Sequence, residues 1–267
     1  MNMSQRRVEL WASAVAVDPD IHEVTTRVAT VPDCAAAVVR YANSAYVGAA
    51  YPVGTVLESV LRVGCRSVGA LAMASLTRQL VDTCAAPRLW EESLVIARAA
   101  KLIARMQGAT RTETEHLFVS GLVSIAGSAG LMMQDDGYLE WRRNQRAHRL
   151  HDLDLLRKER MVYGVDHVQA AARLLDELNL PGEVIEAVSS HHAPATPHQQ
   201  ILTVAMSALR DDSPARCVSL SFREAMAGLG LADHVSFVEN EARLFADITL
   251  EAFSGDLSGE QDIPARR

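Results

Sequence analysis

The chain has 267 residues, of which 49% are hydrophobic and 5% are aromatic. That is enough apolar material for one or two domains with a large core. Its formal net charge is −7, so we do not expect a nucleic-acid partner. The cysteines are scattered and form no C-x-x-C pair, which argues against a disulfide framework or a zinc knuckle and favours reduced cysteines; they are Cys34, Cys65, Cys84 and Cys217.

The sequence has no uninterrupted run of about 18 apolar residues, so we expect no membrane span. Arg6 and Arg7 precede the apolar stretch Leu10–Val17, an order also seen in signal peptides. Glu9 and Asp18 interrupt that pattern at its two ends. We therefore expect a cytoplasmic protein, with export as the alternative.

Alanine, valine and leucine recur at helical spacing, which predicts an all-α fold. Asp18-Pro19-Asp20 and Val31-Pro32-Asp33 are helix starts, since proline and aspartate suit the first turn. Thr55 and Glu58 form a capping-box pattern ahead of the next helix. The predicted helices of this half are 5–17, one starting at 18–20, 34–42, 56–64, 67–84, 90–107 and 113–133.

The predicted helix 113–133 contains Gly121, Gly127 and Gly130, which we interpret as sites of close helix packing. The segment 135–166 is the most highly charged, and we expect it to be the least regular. Asp166 then caps a further helix. The remaining predicted helices are 167–180, 183–192, 198–209 and 222–253, the last one broken at 228–230, before a flexible tail over 254–267.

The stretch SSHHAP (Ser189–Pro194) places two histidines side by side. Neighbours on a helix point about 100° apart, so His191 and His192 cannot share one helical face. A metal site would need another ligand, and His167 at the start of the preceding helix is the natural candidate. Three imidazoles can bind zinc, but a hydrolytic centre for hard divalent ions also needs carboxylates.

Five motifs in a fixed order resemble the HDOD domain, a signalling-associated relative of the HD-type phosphohydrolases. They are RYANSAY (40–46), LWEESLVIA (89–97), GLVSIAG (121–127), YGVDHVQAAARLL (163–175) and LNLPGEVIEAVSSHH (178–192). The resemblance spans about residues 18 to 205 and implies a helix bundle with N-terminal and C-terminal helical subdomains. The predicted organisation is an N-terminal helix at 1–17, the HDOD-like domain at 18–209, a C-terminal helical extension at 210–253 and the tail.

In the family, the part similar to GLVSIAG often reads G-L-[LV]-H-D-[IL]-G, and the His-Asp pair supplies the metal centre of the enzymes. Here Ser124 and Ile125 occupy those positions, and Ala205-Met206 falls near a second acidic position. The resemblance therefore implies a non-enzymatic protein with no metal and no cofactor. Its signature residues are interpreted as structural: Asn43, Ser44, Trp90, Ser93, Gly121, His167, His191 and His192.

Some of these residues have a second interpretation. Asn43-Ser44 is either a helix cap or part of a docking surface, and Trp90 either a core residue or a partner anchor. A basic cluster is either an anion or partner patch or a solvated face paired with nearby acids. It consists of Arg142, Arg143, Arg146 and Arg149.

The leading hypothesis is a bacterial signal-transduction protein that acts through protein–protein contact, with a signalling protein or a second copy as partner. One alternative is a metal-dependent phosphohydrolase with atypical ligands, its carboxylates drawn from Asp135, Asp136 or Asp166. The other is a nucleotide sensor, of cyclic dinucleotides for example, that binds near the arginine cluster.

Overall fold

The computed structural model describes residues 2–48, 50–82, 86–147, 152–209, 213 and 220–254. Every regular element in these ranges is a helix, so the predicted all-α fold is confirmed. The helices are α1 (Met3–Val15), α2 (Ile21–Ala29), α3 (Pro32–Ala42), α4 (Val56–Val63), α5 (Cys65–Asp82), α6 (Pro87–Met106), α7 (Arg111–Val123), α8 (Ala126–Met132), α9 (Tyr138–Ala147), α10 (Asp152–Tyr163), α11 (His167–Glu177), α12 (Gly182–Ser189), α13 (Pro197–Met206), α14 (Phe222–Gly228) and α15 (Val235–Ser254). The chain beyond residue 254, predicted to be a flexible tail, lies outside the described residues.

The first helix is part of the packed bundle. Leu10 and Trp11 are buried, and α1 packs along α5. Arg7 of α1 is itself buried and donates from Nε to Ser75 Oγ at 2.6 Å, while its Nη2 pairs with Asp33 Oδ2 at 2.9 Å. A charge buried at this depth is tolerated because it is paired and hydrogen-bonded. Arg7 therefore fixes α1 to both α3 and α5.

Helices α6 and α7 form the centre of the bundle, and a glycine sets how closely they approach. A Cβ at Gly121 would lie 2.5 Å from Ala97 Cα. No side chain fits at that distance, so the close-packing role predicted for Gly121 is confirmed. The single predicted helix 113–133 is wrong, because α7 ends at Val123 and α8 begins at Ala126. The Ser124 hydroxyl donates to the Gly121 carbonyl at 2.8 Å, a local bond that competes with the helical pattern.

The segment 135–166 is more regular than predicted. It contains α9 and α10, and its polar residues Tyr138, Arg142 and Glu159 are all fully buried. The dense charge of the segment suggested a solvated loop, but part of that charge is paired in the interior. The expected irregularity is therefore wrong for 138–147 and 152–163.

The C-terminal helices return to the N-terminal part of the bundle. Asp166 caps α11 by accepting from Gln169 N at 2.8 Å, as predicted. The predicted break near 228–230 is also confirmed, since α14, a 3-10 turn at Ala232–His234 and α15 follow one another. Arg78 Nη1 donates to Phe253 O at 2.6 Å, which ties the end of α15 to α5.

One helical stretch of the described residues, Arg111–Met132, is long and apolar enough to cross a membrane by length and composition. The most apolar window of this stretch is 89% buried inside the protein. The consecutive helices α4 and α5 pass the same test only as a pair, and they meet at a bend of 110°. Packing in the core accounts for the composition of the Arg111–Met132 stretch.

Candidate functional site: a buried histidine cluster

Three histidines from two parts of the chain meet in the interior. His167 opens α11, and His191 and His192 lie in the turn after α12, which ends at Ser189 and not at residue 192 as predicted. His167 Nε2 lies 3.0 Å from His192 Nε2 and 3.4 Å from His191 Nε2. Each ring offers one nitrogen to a group whose atoms all lie within 4.8 Å of one another. The turn allows both adjacent histidines to face His167, which one helical face would not permit.

Hydrogen bonds at the outer nitrogens orient two of the rings. His191 Nδ1 lies 2.6 Å from the Val188 carbonyl oxygen, so this nitrogen donates and Nε2 carries a lone pair. His167 Nδ1 lies 2.6 Å from Glu159 Oε2, a second hydrogen bond in which Nδ1 is the donor. Unless the His167 ring is protonated, two lone pairs face each other at Nε2. A proton or a cation between the rings would relieve that repulsion.

Glu159 on α10 is the anchor of this arrangement. Its Oε1 accepts from the Tyr138 hydroxyl at 2.7 Å, and its Oε2 also accepts from the His167 backbone N–H at 2.9 Å. Burial alone would raise the pKa of Glu159, but the hydrogen bond from His167 and the charges of His167 and Arg142 lower it to about 2. Glu159 is therefore an ionised carboxylate in the protein interior.

Arg142 on α9 supplies the buried positive charge near Glu159. Its Nη1 donates to Ser128 Oγ at 2.6 Å and to the Tyr138 hydroxyl at 3.1 Å. The connected polar groups run from α8 and α9 through α10 to the three imidazoles. We call this set the histidine network; its members are Ser128, Tyr138, Arg142, Glu159, His167, His191 and His192.

The two positions aligned with the His-Asp pair of the enzymes carry no ligand toward the imidazoles. The Ser124 hydroxyl donates to its own helix, and Ile125 is 1% exposed in the apolar core. Helix α8 nevertheless packs closely against the first residue of α11 through its backbone. A Cβ at Gly127 would lie 1.8 Å from the His167 carbonyl oxygen. The close approach predicted for Gly127 is therefore confirmed, and its partner is α11.

The side chains present fit one kind of metal site and not another. Three imidazoles can hold a single zinc-like ion with one open position, and Glu159 bonded to His167 is the outer carboxylate that such ligands often have. Centres for hard divalent ions take oxygen ligands. Among the described residues, the cluster within 4.8 Å contains imidazoles alone.

The carboxylates suggested for an atypical centre are engaged or exposed. Asp166 caps α11 and pairs with Arg160. Asp135 accepts from Gly137 N at 2.9 Å, and Asp136 is exposed. None of the three belongs to the histidine group.

The dipeptide Asn43-Ser44 lies at the end of α3. Asn43 is the C-cap residue, and its side chain both accepts from Val53 N and donates to Val53 O at 2.8 Å. The Ser44 hydroxyl donates to Tyr41 O at 2.7 Å. These bonds fit the predicted cap that ties the end of one helix to the segment before the next.

Trp90 is in the core. It is 6% exposed, and its indole Nε1 donates to Ala74 O at 2.9 Å. The Ser93 hydroxyl, one turn further on α6, donates to Trp90 O at 2.7 Å. A partner could not reach this indole without opening the bundle, so the core interpretation is confirmed.

The predicted basic patch is not a single surface. Arg142 is fully buried in the histidine network, and this part of the prediction is wrong. Arg143 is exposed. The Arg146 side chain and the whole of Arg149 lie outside the described residues. The helical spacing predicted a shared face, but it could not say that the face of α9 with Arg142 turns inward.

Sequence reasoning missed the polar half of the network. Tyr138 and Arg142 are four residues apart on α9, and Glu159 precedes His167 by eight residues. The first spacing is a helical one and could have indicated a shared face. The second spans a turn between two helices, and no local pattern reveals the contact.

Comparisons with known proteins identify the family and support the fold. The model of the HDOD domain family matches residues 3–194, whereas the motifs of the resemblance span about residues 18 to 205. Comparison with curated protein sequences finds no match.

Solved structures share the fold at low sequence identity. A "Putative phosphohydrolase" from Shewanella amazonensis SB2B has a TM-score of 0.64 at 17% identity, covering 91% of this chain and 93% of that one. An HDOD domain protein with unknown function from Geobacter sulfurreducens has a TM-score of 0.64 at 17% identity, with 94% and 92% covered. A "Putative signal transduction protein" from Marinobacter aquaeolei VT8 has a TM-score of 0.66 at 20% identity, covering 92% of this chain but 58% of that one. Because the family model covers most of the sequence and the helical fold agrees with it, this protein belongs to the HDOD domain family.

Proposed function

We propose that this protein is a regulatory protein of signal transduction that acts through contact with another protein and catalyses no reaction. Membership in the HDOD family and the fold shared with a "Putative signal transduction protein" support the regulatory role. The observation that carries the non-catalytic part is the state of the two dyad positions. One holds a serine bonded to its own helix and the other a buried isoleucine.

A hydrolase of this lineage would need oxygen ligands to hold its ions and activate water. Glu159 is the carboxylate that reaches the imidazoles, and both of its oxygens accept hydrogen bonds from Tyr138 or His167. In this proposal Glu159 and Arg142 balance each other in the interior and keep the histidines in place. The network then serves as a rigid support for the surface that a partner recognises.

We propose further that the protein works in the cytoplasm and that its partner is another signalling protein, with a second copy as the alternative. Without a reaction of its own, such a protein passes its signal on by presenting a shaped surface. The partner is therefore expected to respond to the folded bundle and not to the imidazoles.

A hydrolysis assay tests the proposal. The full chain is supplied in turn with Mn²⁺, Fe²⁺ and Zn²⁺ and incubated with p-nitrophenyl phosphate, bis(p-nitrophenyl) phosphate and nucleotides. We expect the same background rate for the wild type and for His167→Gln, since a contaminating phosphatase would survive the substitution. Metal-dependent phosphate release that disappears in His167→Gln would overturn the proposal.

A second candidate function is a phosphohydrolase with atypical ligands, and the imidazole cluster is the observation that favours it. Each of the three rings offers a nitrogen within 4.8 Å of the others, and His167 is hydrogen-bonded to a carboxylate as metal-bound histidines often are. Elemental analysis of the full chain and of His192→Gln tests this candidate. It requires about one ion per chain that is lost in the variant, and traces of metal that the variant retains would rule it out.

A further inference from the structure

A second polar region lies apart from the histidine network. A cavity of about 310 Å³ opens between α3, α5, α6, α7 and α15, and no member of the histidine network lines it. Its walls carry four basic side chains, one from α5 and three from α6. We call it the basic cavity; its cations are Arg66, Arg98, Lys101 and Arg105.

The walls of the basic cavity carry more positive than negative charge. Lys101 is buried and pairs with Glu115 at 2.8 Å, and Arg98 pairs with Glu241 at 2.9 Å. Within the described part of the chain, no carboxylate lies within 4 Å of Arg66 or Arg105. This local excess is the opposite of the formal net charge of −7.

Holding these cations together is unfavourable for the protein alone. Arg98, Lys101 and Arg105 are three and four residues apart, so they share one face of α6, where like charges repel. Burial lowers the pKa of Lys101, and the charges of Arg105 and Arg98 lower it further, although Glu115 opposes both effects. An anion in the cavity would turn this repulsion into attraction.

Two of the arginines also have hydrogen-bond donors without an acceptor in the part of the chain that the structure describes. The Nε atoms of Arg66 and Arg98 are buried, and neither has a hydrogen-bond acceptor among the described residues. A buried donor without an acceptor costs free energy. Phosphate and carboxylate oxygens both match the forked donors of arginine, and a phosphate monoester brings the larger negative charge to the cations that lack a carboxylate.

Aromatic rings form the rest of the wall. The ring centroids of Tyr41 and Tyr46 are 6.2 Å apart, and Tyr46 is 43% exposed. Phe118 and Phe245 face the cations instead, with Lys101 Nζ 5.0 Å from the Phe118 centroid and Arg98 Cζ 5.9 Å from that of Phe245. Tyr46 therefore has ring surface left for a flat ligand.

We propose that the basic cavity binds a small organic phosphate with a flat ring, of the size of a mononucleotide. The phosphate lies against Arg66 and Arg105, and the ring lies against Tyr46. A volume of about 310 Å³ is at the lower end of ligand pockets, which favours one nucleotide over two linked ones. The site goes beyond the proposed protein contact and does not depend on it.

Isothermal titration and thermal unfolding of the full chain test this site. The probes are AMP, GMP and UMP. Adenosine is the control that has the ring but no phosphate, and inorganic phosphate is the control that has no ring. We expect at least one mononucleotide to raise the Tm and to bind at least tenfold more tightly than adenosine or phosphate. No binding of any mononucleotide at millimolar concentration overturns the proposal, and equal binding of inorganic phosphate overturns the role of the ring.

Two variants separate a ligand site from a structural role. Arg66→Gln and Arg105→Gln remove cations that have no carboxylate partner in the described chain, and Arg173→Gln on exposed α11 surface is the control. We expect Arg66→Gln to lose at least tenfold in mononucleotide affinity, with no change for Arg173→Gln. In the absence of ligand, the Arg105→Gln variant is expected to unfold at the same or a higher temperature than the wild type, because the substitution reduces the repulsion among the cations on α6. Unchanged affinity in Arg66→Gln contradicts the proposal.

Discussion

The histidine network lies in the interior of the bundle, whereas the basic cavity opens to the surface at exposed Arg105, and the two balance their charges differently. In the network, Glu159 faces His167, and Tyr138 links it to Arg142, so each carboxylate oxygen has a donor. In the basic cavity, carboxylates pair with two of the cations and leave Arg66 and Arg105 without one. The paired interior charges of the network stabilise the fold, whereas partly buried Arg66 and exposed Arg105 can take an anion from outside.

This difference draws attention to a region other than the one that the family resemblance indicates. The resemblance draws attention to the histidines, where the enzymes have their metal centre. The imidazoles offer lone pairs that suit a cation, whereas the basic cavity, which no motif indicates, offers buried donors and positive charge that suit an anion. Variants that remove one carboxylate from each region compare the two directly.

We expect the largest effect from Glu159→Ala. The substitution leaves the Tyr138 hydroxyl and the His167 N–H groups without their acceptor and removes the negative charge that offsets buried Arg142. Breaking a buried pair in this way costs about 4 kcal/mol of unfolding free energy. Urea denaturation measures the loss. The control is exposed Glu140→Ala on α9, which should change the unfolding free energy by less than about 0.5 kcal/mol. A stable Glu159→Ala would show that the network does not hold the fold.

The next effect is at the contact between α8 and α11. In Gly127→Ala the new Cβ would overlap the His167 carbonyl oxygen, so the backbone must shift. We expect this shift to lower the unfolding free energy by about 3 kcal/mol. Gly130→Ala is the matched control on the same helix, because its Cβ meets only Ala170 Cβ at 3.7 Å. That variant should be neutral or more stable by up to about 1 kcal/mol. Equal unfolding free energies for the two variants would contradict the close approach.

A smaller effect is expected in the basic cavity from Glu115→Gln. The amide still accepts from Lys101 but no longer neutralises it, so we expect a loss of about 2 kcal/mol. Without the Glu115 carboxylate, Lys101 has lost its negative partner. Inorganic phosphate added at tens of millimolar should supply a negative charge in its place and recover part of the lost unfolding free energy. The same phosphate should not recover Glu159→Ala. If phosphate restored the unfolding free energy of both variants, or of neither, the proposed difference between the two regions would be contradicted.

A further effect, which depends on pH, is expected on the acid limb of stability. The pKa of Glu159 is lowered from 4.5 to about 2, so its contribution is present above pH 4.5 and is lost as the pH falls toward 2. Glu159→Gln removes that titration while keeping a polar side chain. We expect a flatter dependence of unfolding free energy on pH between 4.5 and 2 than in the wild type. Parallel curves would contradict the lowered pKa.

The sequence was sufficient for most helices outside the segment 135–166 and for the residues that act locally. The Asp166 cap, the Thr55–Glu58 capping box and the break near Gly228 follow from neighbouring residues, and all are present in the structure. The bend at Ser124–Ile125 was missed because the apolar pattern continues through it. What ends α7 there is a serine bonded to its own helix, and α8 then packs against α11.

The sequence was insufficient where distant elements meet. Arg142 lies in a charged run, and no local signal says that Tyr138 and Glu159 will bury it. The basic cavity draws its cations from α5 and α6 and its rings from α3, α7, α15 and the segment after α3. The helical spacing of Arg98, Lys101 and Arg105 could have indicated a shared basic face, but only the tertiary packing adds Arg66 and the aromatic rings.

The central claim is that the histidine network supports a regulatory fold without catalysis. The most direct measurement is the transcript profile of cells in which the native gene is replaced by His192→Gln, compared with the deletion and the wild type, once circular dichroism shows that the variant is folded. We predict that folded His192→Gln keeps the wild-type profile, because in the proposed function a partner recognises the surface of the bundle and not the imidazoles. A folded His192→Gln that reproduces the deletion profile would contradict the account.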